Sequence, residues 1–262
     1  MKQTVIQAAI EAGKEIMKIY NTDFDVEYKE DESPLTIADK QSHEIIKMHL
    51  MDYDPSIPIL SEEGSHLPYE ERKQWDQFWL VDPIDGTKEF IKKNGEFTVN
   101  IALIRNGKPV LGVIYAPALD DLYVADEEKG AYKIPAVLEA GNTDSMNAIP
   151  LPLVDKQEKT ASVVASRSHM SEETQQFIES LKSNYESVAT VSAGSSLKLC
   201  LVAEGKADYY PRYAPTMEWD TGAGQAIVEL SGGKVEVANE DRPLRYNKEN
   251  LRNPWFLATR KQ

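Results

Sequence analysis

Trp79-Leu80-Val81-Asp82-Pro83-Ile84-Asp85-Gly86-Thr87-Lys88-Glu89-Phe90 is the stretch of this chain best equipped for chemistry. An apolar run delivers two carboxylates separated by Pro-Ile. Pro83 stiffens the turn by fixing its φ. Gly86 lets the backbone approach a ligand closely. Thr87 begins a helix whose first N–H groups have no intrahelical partner and suit an anion. One turn therefore offers two metal ligands, a phosphate cradle and a hydroxyl. A plain acidic helix cap would use the same residues. Three other segments weigh against that plainer reading. Leu60-Ser61-Glu62-Glu63-Gly64 puts paired carboxylates at a second apolar strand end, Met217-Glu218-Trp219-Asp220-Thr221-Gly222 starts a small-residue helix with Asp220, and Thr36-Ile37-Ala38-Asp39 opens another helix. If these carboxylates converge they repel one another, and Mg²⁺, a hard cation that prefers oxygen ligands, would stabilise them.

Positive charge sits in three further segments: Ser166-Arg167-Ser168-His169, Gly194-Ser195-Ser196-Leu197-Lys198 and Pro211-Arg212-Tyr213-Ala214-Pro215-Thr216. Read alone, Lys198 is as readily a solvated helix lysine, and Arg212 as readily the partner of a surface acid. His43, His49 and His66 are scattered and receive no role. Cys200, among Leu199, Leu201 and Val202, reads as a small buried hydrophobe. Tyr209, Tyr210, Tyr213 and Trp219 suit a core as well as the flanks of a ring-bearing ligand.

The elements that must position these groups are legible in the periodicity. Helical spacing of Val5, Ile6, Ala9, Ile10, Ala12, Ile16, Met17 and Ile19 predicts an amphipathic helix over 2–20. A polar stretch leads to a second helix over 35–50. Strands are predicted at 57–60 and 77–81, both ending at acids, and at 97–105 and 108–116 across Asn106-Gly107, a strong hairpin signal. A further strand is expected at 122–125, completing a largely antiparallel sheet with helices on it. Residues 135–159, with Pro135, Gly141, Asn142, Pro150 and Pro152, read as a domain connection. Beyond it the pattern is α/β: strands at 161–165, 185–191 and 207–210, helices at 171–183, 196–204 and 220–230, and late strands at 234–237 and 255–258. The expectation is two domains around a cleft, an α+β part over 1–134 and an α/β part over 160–262.

Composition narrows the function classes. The chain has 262 residues, 41% of them hydrophobic, and 43 Asp+Glu against 29 Lys+Arg give a net charge of −14. That charge and the lack of a basic stripe make nucleic acid an unsuitable partner. Small phosphates remain suitable, because a bound divalent cation inverts the local sign. The longest apolar run is far short of the ~20 residues that span a bilayer. Glu11, Lys14 and Glu15 interrupt any signal-like stretch at the start. Cys200 is the only cysteine, which suits a reducing compartment, so the cytoplasm is the expected location.

The set Glu62-Glu63, Asp82-Pro83-Ile84-Asp85-Gly86-Thr87 and Trp219-Asp220, with Thr36 and Asp39, resembles the inositol monophosphatase superfamily of Mg²⁺-dependent, lithium-sensitive phosphatases. The segments around His169, Ser195, Lys198 and Arg212, with Leu201-Val202-Ala203-Glu204-Gly205, are most similar to its bacterial 3′(2′),5′-bisphosphate nucleotidase branch. The resemblance implies a layered α/β/α/β/α sandwich. It implies removal of the 3′-phosphate of adenosine 3′,5′-bisphosphate to give AMP and phosphate, in sulfate assimilation or after phosphopantetheine transfer, with 3′-phosphoadenylyl sulfate as a second candidate substrate. It also implies two or three Mg²⁺ ions, held by Glu62, Asp82, the Ile84 carbonyl, Asp85 and Asp220. Attack would be by metal-activated water, whose proton goes to Thr87 and Asp39, with Thr36 and Glu63 ordering that network. The scissile phosphate would sit on the N–H groups of Gly86 and Thr87. His169, Ser195, Lys198 and Arg212 would contact the AMP portion, where a second phosphate needs its own cations. A monomer or homodimer is expected, and peripheral contact with the inner membrane stays open. The alternatives are a sugar or inositol phosphatase of the same fold and a non-catalytic Mg²⁺- or phosphonucleotide-binding protein. One departure from the family pattern is the pair Gly222 and Gly224 in the last helix, each costing up to ~1 kcal/mol of helix propensity.

Overall fold

The computed structural model describes residues 1–23, 25–28, 34–65, 67–138, 147–165 and 170–261. The first half runs α1 (Lys2–Tyr20), β1 (Val26–Tyr28), β2 (Pro34–Thr36), α2 (Ile37–Tyr53), β3 (Ile59–Ser61), α3 (Tyr69–Arg72), β4 (Gln77–Asp85), α4 (Thr87–Ile91), β5 (Thr98–Arg105), β6 (Lys108–Ala116), β7 (Asp121–Asp126), β8 (Gly130–Pro135) and β9 (Ile149–Pro150). The second runs β10 (Thr160–Val164), α5 (Glu172–Leu181), β11 (Ser187–Val191), α6 (Leu197–Glu204), β12 (Tyr209–Arg212), α7 (Glu218–Leu230), β13 (Lys234–Val237) and β14 (Phe256–Thr259).

Strand β4 explains the layering. Phe78 to Ile84 are all buried. Side chains alternate across a strand, and here Phe78 and Leu80 enter one core while Trp79 and Val81 enter another. A strand covered on both faces has to be a continuous apolar run. One face of its sheet, in the order β3-β4-β5-β6-β7-β8-β9, carries α1 and α2. The other face carries α7, with α6 beside it. These two helices also pack on the second sheet, β11-β10-β12-β14-β13, and α5 packs against β12. The order is α/β/α/β/α, as the resemblance implied. Within the first sheet only the β3–β4 pairing is parallel. Asn106 and Gly107 both have positive φ, 51° and 72°, which makes the predicted hairpin turn a type I′.

Four strands escaped the sequence reading. Strand β8 pairs with β7, and Ile149–Pro150 adds an edge strand from within the stretch read as a connection. Gly130 and Pro135 form the ends of β8, and β9 is only two residues long and includes Pro150, which hides both. Strand β1 falls in the stretch read as polar chain, and β2 spans its end and the first residues of the predicted second helix, which starts only at Ile37. Gly222 and Gly224 have a packing reason. A Cβ built on Gly222 would lie 2.7 Å from Leu80 Cδ2, and one on Gly224 would collide with the Leu199 side chain. Lost helix propensity is thus exchanged for close approach of α7 to β4 and α6. Among the described residues no helix is long and apolar enough to cross a membrane.

A buried ionic cluster joins the first sheet to α6. Glu204 is 1% exposed; it accepts from Tyr123 Oη at 2.8 Å and Lys133 Nζ at 3.0 Å, and pairs with Lys206 at 2.6 Å. Burial pushes the Glu204 carboxyl up, but Lys206, Lys133 and Tyr123 outweigh it and hold the group below its ordinary value. Glu204→Ala is expected to cost about 3 kcal/mol, because it leaves Lys133 partly buried with less compensation. The sign in pH follows from the lowered value. The stabilisation is complete above the ordinary carboxylate range and is lost as pH falls through the folded value. Urea unfolding of wild type and variant at neutral and acid pH checks this: the gap between them should narrow on the acid side.

Candidate metal and phosphate site

The end of β4 builds the acidic centre. Asp82 pairs with Asn100 and Asp85 with Thr98, and the β4–β5 register shifts between them. In a regular strand, residues three apart face opposite sides. The irregularity at Pro83-Ile84 re-aims Asp85, so that Asp82 and Asp85 line the same cleft. That cleft, about 410 Å³, is also lined by Glu62, Ile84, Gly86, Thr87 and Asp220. Glu62 is kept beside β4 by its N–H, which donates to the Val81 carbonyl at 3.1 Å. Asp220 lies in the first turn of α7 and accepts from the Met217 N–H at 2.8 Å.

Helix α2 fixes this centre from behind. Thr36 caps it: its N–H and hydroxyl donate to Asp39 Oδ2 at 2.8 and 2.6 Å. The Thr87 hydroxyl lies 3.3 Å from Asp39 Oδ1 and 3.3 Å from the Ile84 carbonyl. Ser42 donates to the Pro83 carbonyl at 2.8 Å, and His43 Nδ1 meets Ser61 Oγ at 2.9 Å, next to Glu62. One helix therefore grips both acid-bearing turns. The His43 imidazole, burial being the main cause, is held below its usual value.

The charge balance of the cleft calls for a cation. Burial, then Glu62, Asp85, Asp220 and Asp39, push the Asp82 carboxyl well above its ordinary value. Burial and Asp85, followed by Glu62, push Asp220 up to about 8 against the opposing Met217 N–H and Arg212. Each shift says that ionisation is disfavoured here without compensating positive charge. Four hard oxygen donors and a carbonyl fit Mg²⁺. Among the described residues no three acidic, His or Cys side chains close to coordinating distance. Their oxygens accept from protein donors instead: Asp82 from the Ile84 N–H, Asp85 from Ser196, Asp220 from the Met217 N–H.

Sequence reasoning missed the polar layer that holds Asp85. Ser196 Oγ lies 2.7 Å from Asp85 Oδ2 and accepts from Asn100 Nδ2 at 2.9 Å; Thr98 Oγ1 donates to Asn100 Oδ1 at 2.9 Å. All three residues are buried. A signal existed: Thr98 and Asn100 alternate with Phe97, Val99 and Ile101 at the start of an otherwise apolar strand, on the face that meets the two aspartates.

A second cavity, about 250 Å³, shares Asp85, Gly86, Glu89 and Asp220 with the first and adds Ser195, Lys198, Tyr210 and Arg212. Lys198 Nζ donates to the Ser195 carbonyl at 3.3 Å. Arg212 donates one guanidinium N–H to the Pro215 carbonyl at 3.1 Å, while its buried Nε has no partner among the described residues. A smaller recess of about 70 Å³, lined in part by Met170, Tyr210 and Tyr213, continues from Lys198 and Arg212. Gly86 has φ +92°, a left-handed conformation that favours glycine, and a Cβ there would lie 3.0 Å from Ser195 Cβ.

A protein-family model, the inositol monophosphatase family, matches residues 1–259. The chain belongs to the inositol monophosphatase family. Two relatives are each called 3′(2′),5′-bisphosphate nucleotidase CysQ. The Salmonella typhimurium protein is 45% identical and the Escherichia coli K12 protein 44% identical, each over 99% of both chains. Among solved structures, CysQ from Bacteroides thetaiotaomicron, described as a bacterial member of the inositol monophosphatase family, is 47% identical. It superposes with a TM-score of 0.86, covering 100% of this chain and 97% of that one.

In this inositol monophosphatase family member, Glu62, Asp82, Ile84, Asp85, Gly86, Thr87 and Asp220 share one cleft, and Ser195, Lys198 and Arg212 line the cavity that opens from it. Thr36 and Asp39 stand behind Thr87. Glu63 is half-buried in the turn after β3 and acts electrostatically on His43. His169 lies outside the described residues. Cys200 is buried in the core between the sheets.

Proposed function

We propose that this chain is a Mg²⁺-dependent 3′(2′),5′-bisphosphate nucleotidase that converts adenosine 3′,5′-bisphosphate to AMP and phosphate. The observation that carries the reading is the junction of an acidic cleft with a cavity holding Lys198 and Arg212. A substrate with one phosphate needs only the first; a substrate with two uses both. The names of the relatives at 44–45% identity support the same activity. We place the cleft between a domain of residues 1–134 and one of 160–262, joined by 135–159, in a cytoplasmic enzyme. Acidic donors then come from both sides.

Glu62, Asp82, the Ile84 carbonyl, Asp85 and Asp220 would hold two or three Mg²⁺ ions. Bound Mg²⁺ neutralises phosphoryl oxygens and makes water a stronger nucleophile. The N–H groups of Gly86 and Thr87 receive the scissile phosphate. Thr87 Oγ1 takes the proton of the attacking water as it passes its own to Asp39 Oδ1. Thr36 holds Asp39 in place through Oδ2. Lys198 and Arg212 bind the remaining phosphate, and Ser195 and His169 the nucleoside side of the substrate.

The test is phosphate release, with Mg²⁺ in excess, from adenosine 3′,5′-bisphosphate and inositol 1-phosphate in parallel. Preference for the nucleotide supports the reading. Preference for inositol phosphate keeps the metal site and overturns the second-phosphate pocket. Release from neither, with tight nucleotide binding, moves the chain to the non-catalytic alternative.

A further inference from the structure

Four residues line both the acidic cleft and the basic cavity: Asp85, Gly86, Glu89 and Asp220. Glu89 alone among them has no place in the reading above. It stands half-buried in the first turn of α4. No side-chain hydrogen bond or ion pair to another described residue holds its carboxylate. The opposing loop makes room for it. A Cβ built on Gly194 would lie 2.9 Å from Glu89 Cγ and 2.6 Å from the Glu96 carbonyl oxygen. The side chain therefore lies against the loop that carries Ser195 and leads into Lys198.

A carboxylate between two phosphate subsites repels a polyanionic substrate. It is useful there only if the substrate presents a donor, because an ionised carboxylate accepts hydrogen bonds and donates none. Between the two phosphates of a nucleoside bisphosphate lies the ribose. Its donor beside the scissile phosphate is the vicinal hydroxyl: the 2′-hydroxyl when the 3′-phosphate is cleaved, the 3′-hydroxyl when the 2′-phosphate is. One carboxylate can therefore serve both regioisomers. We propose that Glu89 accepts a hydrogen bond from this vicinal hydroxyl and selects ribonucleotide over deoxyribonucleotide bisphosphates. The proposal rests on the nucleotidase reading of the site.

The experiment compares kcat/KM for adenosine 3′,5′-bisphosphate and 2′-deoxyadenosine 3′,5′-bisphosphate in wild type, Glu89→Ala and Glu89→Gln. A hydrogen bond to a charged acceptor gives wild type a preference for the ribonucleotide of roughly 10- to 100-fold. Glu89→Ala brings the ratio close to one. Glu89→Gln, whose side-chain carbonyl still accepts, restores part of it. The ratio is read within each preparation, so partial misfolding of a variant does not alter it. Equal kcat/KM for the two nucleotides in active wild type overturns this proposal alone, as does a wild-type ratio persisting in Glu89→Ala. Wild type that is inactive on both nucleotides but releases phosphate from inositol 1-phosphate overturns the nucleotidase reading and this proposal with it.

Discussion

In Asp82→Asn, phosphate release from adenosine 3′,5′-bisphosphate falls roughly a thousandfold or more, while the metal-free protein melts at a higher temperature than wild type. Both effects come from one carboxylate. Asp82 is 1% exposed and faces Glu62, Asp85, Asp220 and Asp39, which with burial raise its carboxyl well above the ordinary range. At neutral pH the metal-free fold must either hold that group protonated or tolerate a repelled charge. The uncharged amide removes this penalty, and its oxygen can still accept from the Ile84 N–H as Asp82 Oδ1 does at 3.1 Å. Relief of a buried, uncompensated charge is worth about 2 kcal/mol, or about 5 °C for a chain of this size. The charge that destabilises the metal-free fold is the one that would bind the cation. A Mg²⁺ site contributes several kcal/mol of transition-state stabilisation, and each ~1.4 kcal/mol lost is tenfold in rate. Melting curves with and without Mg²⁺ separate the two roles. Mg²⁺ should raise the wild-type midpoint by mass action and move that of Asp82→Asn little. A variant less stable than wild type without metal would show that Asp82 serves packing, and one that retains activity would remove it from the metal site.

The same conflict between stability and charge makes the acidic site legible in the sequence alone. Strand β4 is apolar on both faces, so Asp82 and Asp85 at its end cannot be ordinary surface acids. Residues whose roles depend on long-range neighbours were less visible. Ser196 and Asn100 matter because strand β5 and the α6 entrance meet at Asp85, an encounter between residues nearly a hundred positions apart. Glu89 has no role in the sequence pattern, and only the fold sets it against Gly194. Gly222 and Gly224 looked like a helix weakness because their compensation lies in Leu80 and Leu199, on other elements. Local signals, such as hydrophobic period, Asn-Gly and the Thr36 cap, gave elements and their ends. Strand β8 begins with Gly130 and ends with Pro135, β9 is only two residues long, and their assignment depends on the partner strand more than on their own residues.

Lys198→Ala lowers kcat/KM for adenosine 3′,5′-bisphosphate by roughly 10- to 100-fold, the range of a charge-assisted hydrogen bond, and lowers that for inositol 1-phosphate far less. Lys198 is a cleaner probe of the proposed second-phosphate pocket than Arg212. Arg212 is among the groups that act electrostatically on Asp220, so its removal disturbs the acidic centre as well as the cavity. Lys198 reaches the cavity from the first turn of α6, where its Nζ donates to the Ser195 carbonyl at 3.3 Å. That contact leaves an ammonium with further donors available to a phosphate. Loss of a bond made equally in the ground and transition states appears in KM with kcat unchanged. A loss in kcat instead would mean that the bond to the remaining phosphate tightens as the scissile one leaves. Equal losses on both substrates would mean that Lys198 acts through the Ser195 loop, and the two-phosphate reading of this cavity would then have to rest on Arg212 alone.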